Sequence, residues 1–257
     1  MTRARVTAIT VGLLLGACVT PSEQDVNLAF QRRQLAEAKL SQGELELAIQ
    51  QYEASLKLFW RDPETHFGVA EAYRRKGKLD LAEKHLLEAI KLQPDHHEAR
   101  LNLGVLYLVE ERWADAIDVF RKLSDDPTFV RPARALVNLG WAQYKSGDLG
   151  GARTTFDRAI RTEHGNYVAH LDMGIVLFDQ GDVVESIRHF EQVLEILENR
   201  PVAVFGPAEA EARFRAAQGF VKLGKQSEAI SHLEVAAQRG GTSEWGQKSR
   251  EYLAILK

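Results

Sequence analysis

The chain has 257 residues, of which 45% are hydrophobic and 27% charged, and its formal net charge is −3. That mildly acidic balance lacks the basic stripe of a nucleic-acid binder, so no nucleic-acid partner is expected. Few prolines and an abundance of Ala, Leu, Glu, Lys, Arg and Gln favour helix throughout, and the length allows one large domain or two.

Residues 1–17 carry Arg3 and Arg5 ahead of an apolar run and end in small residues, the pattern of a cleaved secretory signal. The run is about ten residues, well short of the roughly 20 that span a bilayer as a helix. Cys18 is the only cysteine. Leu15-Gly16-Ala17-Cys18 resembles the lipobox of bacterial lipoproteins, which implies cleavage before Cys18 and acylation of its thiol and of the new amino terminus. Several acyl chains, at about 0.8 kcal/mol per buried CH₂, hold a protein on a membrane where a single chain is marginal. The alternatives are an ordinary signal peptide with an incidental cysteine, or a free buried thiol in a cytosolic protein. No cysteine is left for an internal disulfide once Cys18 is modified. Val19 after the cysteine resembles the outer-membrane default of lipoprotein sorting, which implies a lipid-anchored chain facing the periplasm. Loss of residues 1–17 takes Arg3 and Arg5 with it and moves the net charge to −5. A short polar tether, residues 18–27, then leads into a folded domain over residues 28–257.

That domain is repetitive. The stretches GKLDLAEKHLLEAIKLQPD (77–95), GDLGGARTTFDRAIRTEHG (147–165) and GKQSEAISHLEVAAQRGG (224–241) share one pattern: a turn glycine, a small residue, then a bulky apolar residue four positions further on. An amphipathic helix precedes each turn, as in LNLGVLYL and LVNLGWAQY. In the second helices the small residue is Ala48, Ala82, Ala116, Ala152, Ser186 and Ala229, at spacings of 34, 34, 36, 34 and 43. The bulky partner is Tyr52, Leu86, Phe120, Phe156, Phe190 and Leu233. The first helices carry their own small residue at Ala36, Ala70, Gly104, Gly140, Gly174 and Ala217. Small residues let paired helices approach, and the bulky side chain fills the space between them. Glycines 43, 77, 147, 181 and 224 supply positive φ at the turns, whereas the third repeat has Glu111, so strain is expected there. Two extra residues fall in SDDPTFVRPAR (124–134), where Pro127 and Pro132 end one helix and start the next. Nine more fall in ENRPVAVFGPAEAE (198–211), which reads as a loop. A last amphipathic stretch, residues 243–256, reads as the capping helix that solenoids need.

The pattern resembles the tetratricopeptide repeat (TPR). The resemblance implies an all-α superhelical solenoid of about six helix-turn-helix repeats plus a C-terminal capping helix, with the first helices lining a concave face. The inward positions are charged and mixed in the first two repeats. They turn apolar and aromatic further on, at Leu101, Val105, Leu108, Val137, Trp141, Tyr144, Leu171, Ile175, Phe178 and Phe214. A patch of that kind marks an interaction site when open and suits an amphipathic helix or an extended segment. The competing reading is ordinary core, covered by tight curvature, by the 198–211 stretch or by the last helix.

No catalytic constellation is evident. The eight histidines are scattered, HExxH and Cys/His clusters are missing, and the glycines follow the repeat rather than a phosphate loop. Neither an enzyme, a metal, a small-molecule substrate nor a cofactor other than the covalent lipid on Cys18 is expected.

Taken with the lipobox, the stretch DDPTFVRPARALVNLGWAQYKSGDLGGARTTFDRAI (125–160) resembles the type IV pilus biogenesis lipoproteins that serve as secretin pilotins, the PilF/PilW family and its Tgl-like relatives. The matching positions are Asp126, Pro127, Phe129, Pro132, Asn138, Leu139 and Gly140, and the chain departs from the family in the 198–211 stretch. The resemblance implies an outer-membrane lipoprotein whose concave groove holds the type IV pilus secretin during assembly. The alternatives are a scaffold for outer-membrane β-barrel assembly and an adaptor for a periplasmic protease or peptidoglycan enzyme.

Overall fold

The computed structural model describes residues 21–198 and 200–257. Cys18 and residues 1–17, the expected signal sequence, lie outside the described residues. Six helix pairs follow one another: α1 (Glu23–Ser41) with α2 (Leu45–Leu58), α3 (Pro63–Arg75) with α4 (Leu79–Leu92), and α5 (His97–Val109) with α6 (Trp113–Ser124). Then come α7 (Pro132–Lys145) with α8 (Leu149–Thr162), α9 (Tyr167–Gln180) with α10 (Val183–Leu197), and α11 (Val202–Lys222) with α12 (Gln226–Arg239). A closing helix, α13 (Glu244–Leu256), packs on α11 and α12. Among the described residues there is no strand.

First helices of neighbouring pairs touch one another (α1 with α3, α5 with α7, α7 with α9, α9 with α11), and no pair of second helices comes comparably close. The stack is therefore curved, with the odd-numbered helices inside. This is the concave face on which the repeat pattern places its candidate residues.

Local chemistry sets the helix ends. Ser22 starts α1 with a reciprocal cap: its Oγ accepts from the Asp25 N–H at 3.1 Å, and the Asp25 carboxylate accepts from the Ser22 N–H at 3.2 Å. The residues assigned to the tether are thus helical from Glu23 onward, because this cap lies six residues ahead of the expected domain start. Pro63 and Pro132 occupy the first turns of α3 and α7, where a missing N–H costs nothing. The five expected turn glycines all have positive φ. Glu111 takes the same conformation, φ 58°, held by the same pair of turn hydrogen bonds: its own N–H to the Leu108 carbonyl and the Arg112 N–H to the Tyr107 carbonyl.

The stretch 198–211 is not a loop. Only residues 198–201 connect the elements, and α11 runs 21 residues with Pro207 inside it. Proline in a helix interior normally breaks the pattern, and Pro201, Gly206 and Pro207 together read as a turn. Packing overrides that preference. Phe205 meets the Tyr167 ring edge-on at 5.9 Å, and Gly206 lies so close to the end of α12 that a Cβ there would stand 2.7 Å from the Arg239 carbonyl oxygen. Most of the extra nine residues lengthen the sixth repeat's first helix, which has 21 residues against 14 in α9.

Inside each repeat the small-against-large pattern is literal. The Phe120, Phe156 and Phe190 rings lie on Gly104, Gly140 and Gly174, and all three phenylalanines are at most 1% exposed. A Cβ added at Gly140 would meet the Phe156 ring at 2.7 Å.

A second register runs between the paired helices, four residues before the small residue of the first helix and three after that of the second. It holds Arg32 and Gln51 (2.9 Å), His66 and His85 (Nδ1 to Nδ1, 2.8 Å), His170 and His189 (3.1 Å), and Arg213 beside His232. His66 Nε2 lies 3.0 Å from the Trp60 carbonyl. In the tautomer that donates there, Nδ1 is left to accept from His85. Burial first, then the neighbouring His66, pushes the His85 pKa down to about 4; burial and His170 do the same to His189.

Two predictions follow from this packing. Gly140→Ala should lower stability by about 1–2 kcal/mol, overpacking outweighing the helix propensity gained, and Phe156→Leu in the same chain should recover part of the loss; thermal unfolding of the three proteins checks it. For the histidines, the unfolded rings take protons near pH 6.5, and the folded ones do so only near 4. Their contribution is therefore present above the unfolded pKa and lost as pH falls through that window. The Tm advantage of the wild type over His85→Gln/His189→Gln should shrink between pH 7 and pH 4.5, and an advantage constant across that range would contradict it.

Candidate functional site

The concave face opens into a cavity of about 690 Å³ between the third, fourth and fifth repeats. Val105 of α5, Val137 of α7 and Val168 of α9 form its apolar walls, and residues 130–134 close one side. Asn138, Glu163 and Asn166 supply a polar margin.

The wall at residues 130–134 is part of the two-residue insertion, and the insertion is tied down. Asp126 accepts from the Thr128 N–H at 2.9 Å and from its hydroxyl at 2.6 Å, and lies 3.1 Å from His97 Nε2. These contacts, Thr128 foremost, hold the Asp126 carboxyl down at about 2. Phe129 is buried with its ring tilted against His97. With Phe129 turned inward, Val130 is left 87% exposed at the mouth of the cavity. Arg131 pairs with Glu98 beside it, and Arg134 stands 4.0 Å from the same carboxylate.

The predicted groove residues separate into three groups. Val105 and Val137 line the cavity, and Leu108, also half-buried, packs on the core of the second to fourth repeats. Trp141, Tyr144 and Phe178 are half-buried and fixed by neighbours. The Trp141 and Tyr144 rings lie 5.2 Å apart, the Tyr144 hydroxyl donates to Asp179 at 2.7 Å, and Lys222 stands 3.8 Å over the Phe178 ring. Burial and then the Asp179 bond push the Tyr144 pKa up to about 12. Three of the remaining four are corrections. Leu101 is fully buried, and Leu171 and Ile175 are below 9% exposed, because the first helices approach one another closely enough to seal these positions as core. Phe214 packs under α13, 5.5 Å from the Trp245 ring and 5.9 Å from Tyr252. The capping helix lies against it and leaves it half-buried.

A search for apolar stripes passes over what lies between them. Val130, Arg131 and Asn138 line the cavity without belonging to the stripe. Asp172 sits one helical turn beyond Val168 on α9, half-buried. Burial first, then Glu211, raises its pKa to about 7, against the opposing pull of Arg215. For Asn138 and Asp172 the signal was the polar position adjoining an inward apolar one. Among the described residues no three His, Cys, Asp or Glu side chains are grouped to hold a metal ion. The arrangement is built to receive apolar side chains from another chain and to orient them at a polar margin.

Comparison with known proteins agrees with this architecture. The family described as tetratricopeptide repeat matches residues 33–90, 67–128 and 137–201, more than half of the chain. The crystal structure of PilW, a widely conserved type IV pilus biogenesis factor, superposes with a TM-score of 0.72 at 21% identity, covering 86% of this chain and 97% of that one. The Pseudomonas aeruginosa pilF structure superposes at 0.69 with 15% identity, covering 90% of this chain and 100% of that one. At these identities the likeness is one of fold. A curated relative, the CTR9 homolog of Arabidopsis thaliana, is 23% identical over 60% of this chain, and the chain spans 14% of that protein's length.

Proposed function

We propose that this chain, which belongs to the tetratricopeptide-repeat family, is an outer-membrane lipoprotein that assists assembly of the type IV pilus secretin. The observation that carries the reading is positional. The stretch whose sequence resembles the pilotins, 125–160, supplies one wall of the concave cavity, with Pro132 and Asn138 among its matching positions in the lining. The likeness of the whole repeat array to PilW and pilF supports the same reading.

The mechanism is stoichiometric. Acyl chains on Cys18 hold the solenoid at the inner leaflet of the outer membrane, facing the periplasm. The groove binds an apolar segment of one secretin subunit and keeps it from premature association. Binding the assembly-competent state raises its population by mass action, and no bond is made or broken. The partner is protein, with the membrane engaged only through the lipid.

A strain lacking the protein should lose heat-resistant secretin multimers, and Val105→Asp/Val137→Asp should reproduce the loss while far-UV helicity stays at the wild-type level. Normal multimers in the deletion strain, with another envelope protein recovered on the wild-type chain, would transfer the reading to a scaffold or adaptor role. Cys18→Ala should leave a folded chain that no longer fractionates with the outer membrane or incorporates labelled palmitate; unchanged fractionation would remove the lipid as anchor.

A further inference from the structure

The least explained side chain on the concave face is Asp172. Among the described residues it has neither a hydrogen bond nor an ion pair, although it is half-buried. Its acidic neighbours are engaged: Glu211 with Arg215 at 2.7 Å, and Asp179 with the Tyr144 hydroxyl at 2.7 Å. The carboxylate is half-withdrawn from water and still reached by solvent, and partial desolvation without a donor favours an incoming partner.

The nearby cations do not supply one. Arg215 is turned to Glu211 and lies 5.0 Å from the Trp245 ring, and Lys222 lies over Phe178. Tyr144 faces Asp172 from α7, Glu211 and Arg215 face it from α11, and none of these bonds to it.

The position matters as much as the vacancy of partners. Val168 and Asp172 are four residues apart on α9 and share a face, and Val168 is a wall of the apolar cavity. One helical turn is about 5.4 Å, which two residues of an extended strand, at about 3.3 Å each, just cover. The Trp141 and Tyr144 rings stand on the adjacent helix, and aromatic faces favour an approaching cation.

We propose that the groove recognises protein segments in which a lysine or arginine lies close to an apolar anchor, the anchor filling the cavity at Val105, Val137 and Val168 and the cation pairing with Asp172. This rests on the groove being a protein-binding site and not on the secretin being its partner. The raised pKa of the free carboxyl has the matching sense, because an incoming cation would favour its ionised form.

The test pans a phage-displayed random dodecapeptide library against the wild-type protein and keeps the peptides that Val105→Asp/Val137→Asp fails to retain. The expected peptides carry Lys or Arg within a few residues of an apolar side chain. Asp172→Asn should then weaken the best of them by at least about ten-fold, as loss of a charge-assisted bond does, and changing the peptide's basic residue to Gln should abolish the difference between the two proteins. Asp172→Asn preserves shape and removes a buried charge, so an unchanged or higher Tm verifies its fold. Groove-dependent peptides without a basic preference, or equal affinity for wild type and Asp172→Asn, would overturn the proposal while leaving the groove a binding site. A failure to enrich any groove-dependent peptide would overturn it together with the groove. Basic peptides that bind as expected, in a protein that recovers no secretin, would retain it and remove only the choice of partner.

Discussion

The structure depends on one contact made several times: a phenyl ring of the second helix laid flat on a glycine of the first. Phe120 on Gly104, Phe156 on Gly140 and Phe190 on Gly174 leave no room for a Cβ. This contact sets the helix separation within a repeat, and so the angle at which the next repeat leaves. The first repeat solves the same problem differently. Its bulky residue is Tyr52, whose ring lies on Gly68 of the following repeat. The solenoid is thus stitched across its first junction by the side chain that elsewhere closes a single repeat.

The concave site is a consequence of that spacing and of one local departure from it. Inward positions such as Leu101, Leu171 and Ile175 are sealed as core. The two extra residues fall before α7, at the junction between the third and fourth repeats. Asp126, Thr128, His97 and Phe129 hold the insertion rigid, so that it forms one side of a cavity. Interaction sites of this kind favour rigid walls, because less freedom is lost on binding. At the other end α13 packs its Trp245 and Tyr252 rings on Phe214 and closes the array.

The register of the repeats was legible in the sequence because it is written in residue size: every small residue assigned to a helix interface is buried, and so is each bulky partner. The turn at Glu111 was legible for the same kind of reason, since the expected glycine is missing where positive φ is still required. What escaped was set by contacts distant in the chain. Pro201, Gly206 and Pro207 look like a turn until Tyr167 and the end of α12 are placed beside them. An inward-facing leucine looks the same in sequence whether it ends half-buried, as Leu108 does, or fully buried, as Leu101 does. Asp172 was passed over because a lone acid within an apolar face has no pattern of its own.

The central claim is that a secretin segment occupies the concave cavity between the third and fifth repeats. Photocrosslinking in living cells tests it most directly, with a benzophenone amino acid at Val130, which is exposed at the cavity mouth, and at Leu87, which is 46% exposed on a second helix. The account predicts a secretin adduct from position 130 and none from position 87. Adducts from position 87 alone, or secretin captured from neither position, would contradict it.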